Sequence, residues 1–209
     1  MKLKVCGMKF PENIEQLAAA QPDYMGFIFF EKSKRNFEGV IPKIPASIKK
    51  TGVFVNEYIE IVISLTEEYQ LQAIQLHGEE SVSYIEKLKS YLPKIELIKV
   101  FSIQNTFDFS VLEPYLPLVD YFLFDTKGKE RGGNGVKFNW SVLNDYPFTK
   151  PYFLSGGIGL TDVSNIKDFV TKKAAKFCVA LDINSQFEEH PGFKNNTKVK
   201  QFKQELGIS

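Results

Sequence analysis

The chain is poor in cysteine and histidine and has almost no net charge. Of its 209 residues two are cysteines and two are histidines, and no Cys-x-x-Cys spacing occurs. A disulfide framework and a structural zinc site are therefore not supported. The 26 Lys and Arg residues are balanced by 25 Asp and Glu residues. This balance argues against the basic surface that nucleic-acid binding needs.

A long apolar run is also missing. The longest one, Tyr24–Phe30, is far shorter than the ~20 residues of a membrane-spanning helix. Lys9, Pro11 and Glu12 fall where a signal peptide would need an apolar stretch. We therefore expect a cytoplasmic protein that does not bind a membrane. The length and the 44% hydrophobic content fit one domain that covers residues 1–209.

Eight short runs rich in β-branched and aromatic residues recur along the chain, and segments of helical period lie between several of them. This alternation predicts a single-domain α/β fold, the (β/α)8 TIM barrel. An open doubly wound sheet is the alternative, but no GxGxxG follows the first run. The runs are Leu3–Cys6, Tyr24–Phe29, Thr51–Val55, Ala73–Leu76, Glu96–Val100, Asp120–Phe124, Pro151–Leu154 and Lys176–Leu181.

The connections between the runs differ in character. Apolar residues at helical spacing predict helices around residues 58–69 and 163–170. Phe30–Ala46 and Lys127–Asn139 are poor helix formers and are predicted to be loops at the rim where barrel active sites lie. Helix starts are predicted at Pro11, Asn56, Ser81 and Thr161.

Two turns near the end of the chain predict a phosphate site. Leu154–Ile158 contains Gly156 and Gly157, and the later run ends in Asn184 and Ser185. Such residues leave backbone N–H groups accessible to an anion, although a tight turn or a helix cap would also explain them. In a barrel the turns after strands seven and eight usually hold a phosphate. The predicted partner is thus a small phosphorylated molecule.

Cys6 and Asp125 are candidates for acid–base chemistry because each is predicted to close a strand. Polar groups at the carboxyl ends of different barrel strands meet at one mouth. A thiol acts as a base when nearby cations favour the thiolate, and Lys4, two residues before Cys6, is one such cation. Cys6 could instead be a small core residue, and Asp125 a capping carboxylate.

Three further residues have open alternatives. His77 is either a site residue at a strand end or a structural histidine bonded to the backbone. Arg35 either binds a carboxylate through both of its donor positions or belongs to a solvated charge run. Cys178 lies inside an apolar run and is expected in the core.

Taken together, the motifs resemble those of the phosphoribosylanthranilate isomerases of tryptophan biosynthesis. The resemblance extends over nearly the whole chain. Its motifs are Lys4–Met8, Gly26–Phe29 with Lys32–Arg35, Gly52–Asn56, Gln75–Gly78, Phe124–Asp125 with Gly132–Gly135, Leu154–Ile158, and Leu181–Ser185 with Pro191–Gly192.

The resemblance implies a barrel that converts N-(5-phosphoribosyl)anthranilate to 1-(o-carboxyphenylamino)-1-deoxyribulose 5-phosphate, without a metal or cofactor. In this Amadori rearrangement Asp125 would be the general acid and Cys6 the general base. Arg35 would hold the anthranilate carboxylate, and Asp182 would lie beside the substrate. The N–H groups around Gly157, Asn184 and Ser185 would hold the phosphate. Whether the chain is a monomer or a homodimer stays open.

Two residues depart from the family pattern. Lys34 replaces a common proline before Arg35, and Gln186 replaces a frequent glycine after the phosphate turn. The charged segment Lys127–Arg131 is predicted to close over bound ligand.

Three other functions remain possible on such a barrel. They are the related sugar isomerase of histidine biosynthesis, an indole-forming synthase and a non-catalytic sugar-phosphate sensor. The histidine-pathway enzyme would be expected to have a carboxylate in place of Cys6, and the synthase would need a catalytic lysine and glutamate.

Overall fold

Eight parallel strands close into a barrel. The computed structural model describes residues 1–126 and 139–208, and each strand pairs with the next one in the chain. The last strand returns to the first, from Lys2 opposite Ala180 to Val5 opposite Ile183. The strands are β1 (Lys2–Val5), β2 (Tyr24–Phe29), β3 (Lys49–Phe54), β4 (Ala73–Leu76), β5 (Glu96–Ile103), β6 (Tyr121–Thr126), β7 (Tyr152–Leu154) and β8 (Cys178–Ile183).

The outer layer combines α-helices with shorter helical turns. The α-helices are α1 (Pro11–Ala18), α2 (Ile59–Glu68), α3 (Val82–Tyr91), α4 (Val163–Phe169) and α5 (Asn196–Leu206). Turns of 3-10 helix lie at Phe109–Tyr115, Trp140–Asp145, Leu160–Asp162, Lys173–Phe177 and Ser185–Phe187. The prediction of a (β/α)8 barrel is therefore confirmed. A loop replaces the helix between β2 and β3, and in the described residues 3-10 turns take the place of α-helices after β5 and before β7.

Most sequence-based expectations for these elements are confirmed, including all eight strands and the loop between β2 and β3. Pro11 begins α1, and the Ser81 hydroxyl caps α3 by accepting a hydrogen bond from the backbone of Tyr84. The predicted caps Asn56 and Thr161 are wrong. Of the predicted loop Lys127–Asn139, residues 127–138, with the closing segment and the glycines, lie outside the described residues.

The two wrong caps have local causes. Asn56 has a φ of 51°, and its side-chain oxygen accepts a hydrogen bond from the N–H of Glu79. It thus joins the loops after β3 and β4, and α2 begins later. Thr161 lies inside a 3-10 turn, where the Asp162 carboxylate accepts the N–H of Gly159 at 2.8 Å. A carboxylate at the third turn position therefore stabilises this start, and the threonine hydroxyl is not the cap.

Two apolar layers separate the inside of the barrel from its outside. Because side chains alternate along a strand, Leu123 faces the interior while Phe122 and Phe124 face the helices. Asp125 therefore points to the interior at the carboxyl end of β6. The lower interior is filled by the buried cluster Tyr24, Ile98, Val100, Leu123, Phe153 and Ala180.

A small hairpin follows β8 at the rim. It consists of β9 (Glu188–His190) and β10 (Phe193–Lys194), which pair antiparallel. The buried Asn13 of α1 anchors it, because its side chain both donates to the carbonyl and accepts from the N–H of Lys194. No helix in the described part of the chain is long and apolar enough to cross a membrane.

Candidate active site

Most of the site residues predicted from the sequence line one cavity at the carboxyl ends of the strands. The cavity opens to solvent, and the space between its wall and its open mouth is about 660 Å³. The predicted residues on its wall are Cys6, His77, Asp125, Gly156, Gly157, Asp182, Asn184 and Ser185. Cys178 lies outside this cavity and is buried, as expected.

Cys6 follows directly after β1 and is fixed by the neighbouring strand. Its backbone N–H donates to the carbonyl of Ile183 at 2.9 Å, and the residue is 4% exposed. Gly26 on β2 leaves room for the sulfur, since a Cβ at that position would lie 2.8 Å from Sγ. The thiol therefore reaches the cavity from a nearly buried position.

Two buried charges lie beneath the thiol. The Lys4 ammonium donates to the Asp182 carboxylate at 2.9 Å, and Lys4 is fully buried. Burial alone would lower the pKa of Lys4, but the nearby Asp182 and Cys6 outweigh it and raise that pKa. Burial raises the pKa of the Cys6 thiol. The charge of Lys4 lowers this pKa, that of Asp182 raises it, and that of Lys194 lowers it. These cations reduce the free-energy cost of forming a thiolate in a buried place.

Asp125 is held at the end of β6 by its own strand and faces a histidine from β4. One carboxylate oxygen accepts the N–H of Thr126 at 2.9 Å, and the other lies 3.6 Å from His77 Nε2. Gln75 contacts the opposite ring nitrogen of His77 at 3.2 Å. The backbone N–H of His77 donates to a carbonyl of β3. His77 thus combines the backbone bond with a place on the cavity wall.

The turns after β7 and β8 form another part of the wall. Gly156 and Gly157 have φ values of 100° and 64°, a region that residues with a side chain rarely occupy. A Cβ on Gly156 would also lie 2.1 Å from the hydroxyl of Thr126. The exposed Gln186 is in the 3-10 turn beyond Ser185, so it extends this turn without entering the cavity.

Arg35 lies beside the cavity and is not on its wall. Its side chain passes over Gly7, where a Cβ would be 2.7 Å from Arg35 Cδ. Its guanidinium forms a bidentate ion pair with Glu188, with Nε and Nη2 at 2.8 and 2.7 Å from the two carboxylate oxygens. The backbone of Arg35 also donates to the hydroxyl of Ser33, and Lys34 is exposed.

The sequence reasoning missed Glu188 and Lys194. Lys194 is fully buried, and its ammonium contacts both Glu188 and Asn184 at 2.6 Å. Both charged residues lie in a short hairpin without apolar alternation. The available signal was that two charged residues follow the predicted phosphate turn closely in the sequence. This signal does not distinguish a buried pair from a solvated one.

The fold and the site are those of a barrel enzyme with a thiol and a carboxyl group facing one cavity. Comparison with known proteins then gives the family. The chain belongs to the N-(5'-phosphoribosyl)anthranilate (PRA) isomerase family, whose model matches residues 3–205. The resemblance inferred from the motifs is confirmed.

Relatives in sequence and in structure agree with this assignment. The N-(5'-phosphoribosyl)anthranilate isomerases of Parabacteroides distasonis and Phocaeicola vulgatus are 40% and 39% identical; 99% of this chain and 93% and 98% of theirs are covered. The isomerase structure from Thermotoga maritima has a TM-score of 0.83 at 30% identity. A phosphoribosylanthranilate isomerase in complex with reduced 1-(o-carboxyphenylamino)-1-deoxyribulose 5-phosphate has a TM-score of 0.78 at 28% identity. Each structural match covers 99% of this chain and 98% of the other.

Proposed function

We propose that Asp125 is the general acid and Cys6 the general base of the isomerase reaction. The chain converts N-(5-phosphoribosyl)anthranilate to 1-(o-carboxyphenylamino)-1-deoxyribulose 5-phosphate in tryptophan biosynthesis, as a member of its family. The observation that carries the assignment is the common cavity of the two side chains. They lie at the carboxyl ends of β1 and β6, which are separated around the barrel by β7 and β8.

The reaction needs one proton donor and one proton acceptor. Asp125 protonates the ring oxygen of the ribose, and the ring opens to a Schiff base. The iminium makes the proton on C2 acidic, and the Cys6 thiolate removes it. The resulting enolamine tautomerises to the ketone. His77, at 3.6 Å from Asp125, adjoins the acid and contacts the sugar, and Asp182 lies beside the substrate.

The substrate is held at its two ends. Its phosphate binds the N–H groups of the turns that contain Gly156, Gly157, Asn184 and Ser185. Its aryl carboxylate binds Arg35, whose side chain lies beside the cavity. Fixing both ends places C2 and the ring oxygen between the base and the acid. The reacting groups are then already oriented when the chemical step begins, which lowers its entropic cost. These groups act without a metal or cofactor.

The test uses substrate generated in situ and follows the disappearance of its fluorescence. Cys6→Ser and Asp125→Asn are expected to lower kcat by about 10²–10⁴-fold with a small effect on KM, because each removes a proton-transfer group. Cys178→Ser and Asp145→Asn are matched controls outside the cavity and should keep the activity of the wild type. Undiminished turnover in both test variants would refute the assignment.

The setting of the enzyme is part of the same proposal. Residues 1–209 act as one barrel domain in the cytoplasm, as a monomer or a homodimer. The balanced charge of 26 basic and 25 acidic residues supports a small-molecule partner in place of a nucleic acid. Light scattering of the purified chain distinguishes the monomer from the dimer.

A further inference from the structure

A chain of polar contacts links the two ends of the proposed substrate site. The Arg35 guanidinium pairs with Glu188, and Glu188 Oε1 lies 2.6 Å from the Lys194 ammonium. The same ammonium donates to the side-chain oxygen of Asn184 at 2.6 Å. Arg35 belongs to the loop after β2, and Asn184 to the phosphate turn after β8. The hairpin residues Glu188 and Lys194 therefore lie between two loops that are distant in sequence.

The centre of this chain is buried. The side chain of Glu188 is 5% exposed and that of Lys194 is 0% exposed. Burial would raise the pKa of Glu188, but Arg35 and Lys194 outweigh it and keep that pKa below its usual value. Two cations thus share one buried carboxylate, and removing the carboxylate would leave a buried ammonium without its ionic partner.

Glu188 also has a rigid support. Its carboxylate accepts the N–H of Gly192 at 3.1 Å within the hairpin, and the hairpin is fixed to α1 through Asn13. Arg35, in contrast, extends from a long irregular loop. An arginine side chain loses roughly 2 kcal/mol of rotamer entropy when it is fixed. A partner that orders the guanidinium before ligand arrives lowers this cost at the binding step.

We propose that Glu188 is a positioning residue that acts through Arg35 to hold the guanidinium ready for the aryl carboxylate of the substrate. This proposal rests on the role of Arg35 stated under the proposed function. Lys194 keeps Glu188 in place and joins it to Asn184. Glu188 touches neither the reacting atoms nor the wall of the cavity, so its removal should weaken binding more than it slows the chemical step.

The experiment compares two ligands and four proteins. The ligands are reduced 1-(o-carboxyphenylamino)-1-deoxyribulose 5-phosphate and the same compound without its aryl carboxylate. The proteins are the wild type, Glu188→Gln, Arg35→Ala and the double variant, and dissociation constants are measured by calorimetry. Glu188→Gln should raise the dissociation constant of the carboxylated ligand about tenfold, a loss of ~1.4 kcal/mol in binding free energy. The same substitution should change the dissociation constant of the other ligand by no more than about twofold, which is the usual additivity error of a double-mutant cycle.

Two further readouts separate positioning from a structural role. In the Arg35→Ala background the Glu188→Gln change should have no additional effect on either ligand. In steady-state assays of Glu188→Gln, KM should rise about tenfold while kcat stays within about twofold. Glu189→Gln is the matched control, because Glu189 is the exposed neighbour on the same strand. If Glu188→Gln does not fold, Glu188→Asp keeps a carboxylate beside Lys194 while shortening its reach to Arg35, and it gives a second variant for the same measurement.

The possible failures differ from one another. Equal weakening of both ligands by Glu188→Gln, or persistence of its effect without Arg35, would overturn the positioning role and leave the proposed function intact. Equal affinity of the wild type for both ligands would instead remove Arg35 from the carboxylate site, and this proposal with it.

Discussion

At the scale of single residues, the site depends on missing side chains as well as on present ones. A Cβ on Gly7 would lie 2.7 Å from Arg35 Cδ and 2.8 Å from the Asn184 side-chain oxygen. Gly7 therefore lets two groups of the proposed substrate site approach the end of β1. Gly26 serves the thiol of Cys6 in the same way, since a Cβ there would also lie 3.1 Å from the Cα of Cys6.

The first prediction concerns Gly26→Ala. Because the added methyl would meet both the sulfur and the backbone of Cys6, the thiol must shift, and kcat should fall by about 10²-fold, as expected for a displacement of ~1 Å. Steady-state kinetics measure the change. In a Cys6→Ala background the same substitution should have no further effect on kcat. An equal loss in both backgrounds would show that the methyl acts on the barrel and not on the thiol.

At the scale of elements, the barrel could be predicted because each strand has a recognisable local sequence pattern. A run such as Ala73–Leu76 is mostly apolar because both of its faces are buried, and the apolar period of α2 follows from its packing on one side. The site residues at strand ends were predictable for a related reason. Closing the barrel brings the carboxyl ends of all strands to one rim, so Cys6 and Asp125 must meet.

The hairpin β9–β10 could not be predicted in this way. Its strands have three and two residues, which is too short for an alternating pattern. The burial of Glu188 and Lys194 depends on Arg35, which is 153 residues away from Glu188 in the sequence. A contact of this kind depends on tertiary structure, and local secondary-structure propensity does not predict it.

The second prediction concerns the attachment of this hairpin to α1. Asn13→Ala removes both hydrogen bonds to the backbone of Lys194 and leaves a buried N–H and a buried carbonyl without them. The free energy of unfolding should fall by about 2–4 kcal/mol, as measured in urea. Asn196→Ala is the matched control, because its side chain also reaches α1, at Gln16, but in an exposed bond. Its cost should stay below ~1 kcal/mol. Equal losses in the two variants would contradict the anchoring role of Asn13.

At the scale of the whole molecule, buried lysines paired with carboxylates recur around the barrel. The pairs Lys4–Asp182, Lys99–Glu80 and Lys194–Glu188 have N–O distances of 2.9, 2.9 and 2.6 Å. The first two pairs join different strands and loops of the barrel, and the third lies within the hairpin β9–β10. Burial lowers the pKa of Lys194 to about 8, and the attraction of Glu188 offsets only part of this effect. The protonation of this lysine is therefore coupled to folding.

The third prediction follows from that coupling. Between pH 8 and about 10.5 the unfolded chain keeps the Lys194 proton while the folded chain has lost it, so this group makes the free energy of unfolding rise with pH. The Lys194→Met variant lacks this pH-dependent contribution to the free energy of unfolding. The stability of the wild type relative to this variant should therefore increase by about 2 kcal/mol from pH 7 to pH 10. Urea unfolding at the two pH values measures the difference. The exposed Lys198→Met serves as the control, and a constant difference for Lys194→Met would contradict the shifted pKa.

The two ends of the barrel differ in their proposed functions. Catalytic and binding groups are assigned to the rim formed by the carboxyl ends of the strands, whereas Lys94, just before β5, is exposed at the other end. Attachment of the enzyme to a solid support through Lys94 alone would orient the cavity toward the bulk phase. Substrate could then reach the cavity without crossing the support. The face formed by the amino ends of the strands is therefore the suitable attachment surface for a fixed-bed reactor.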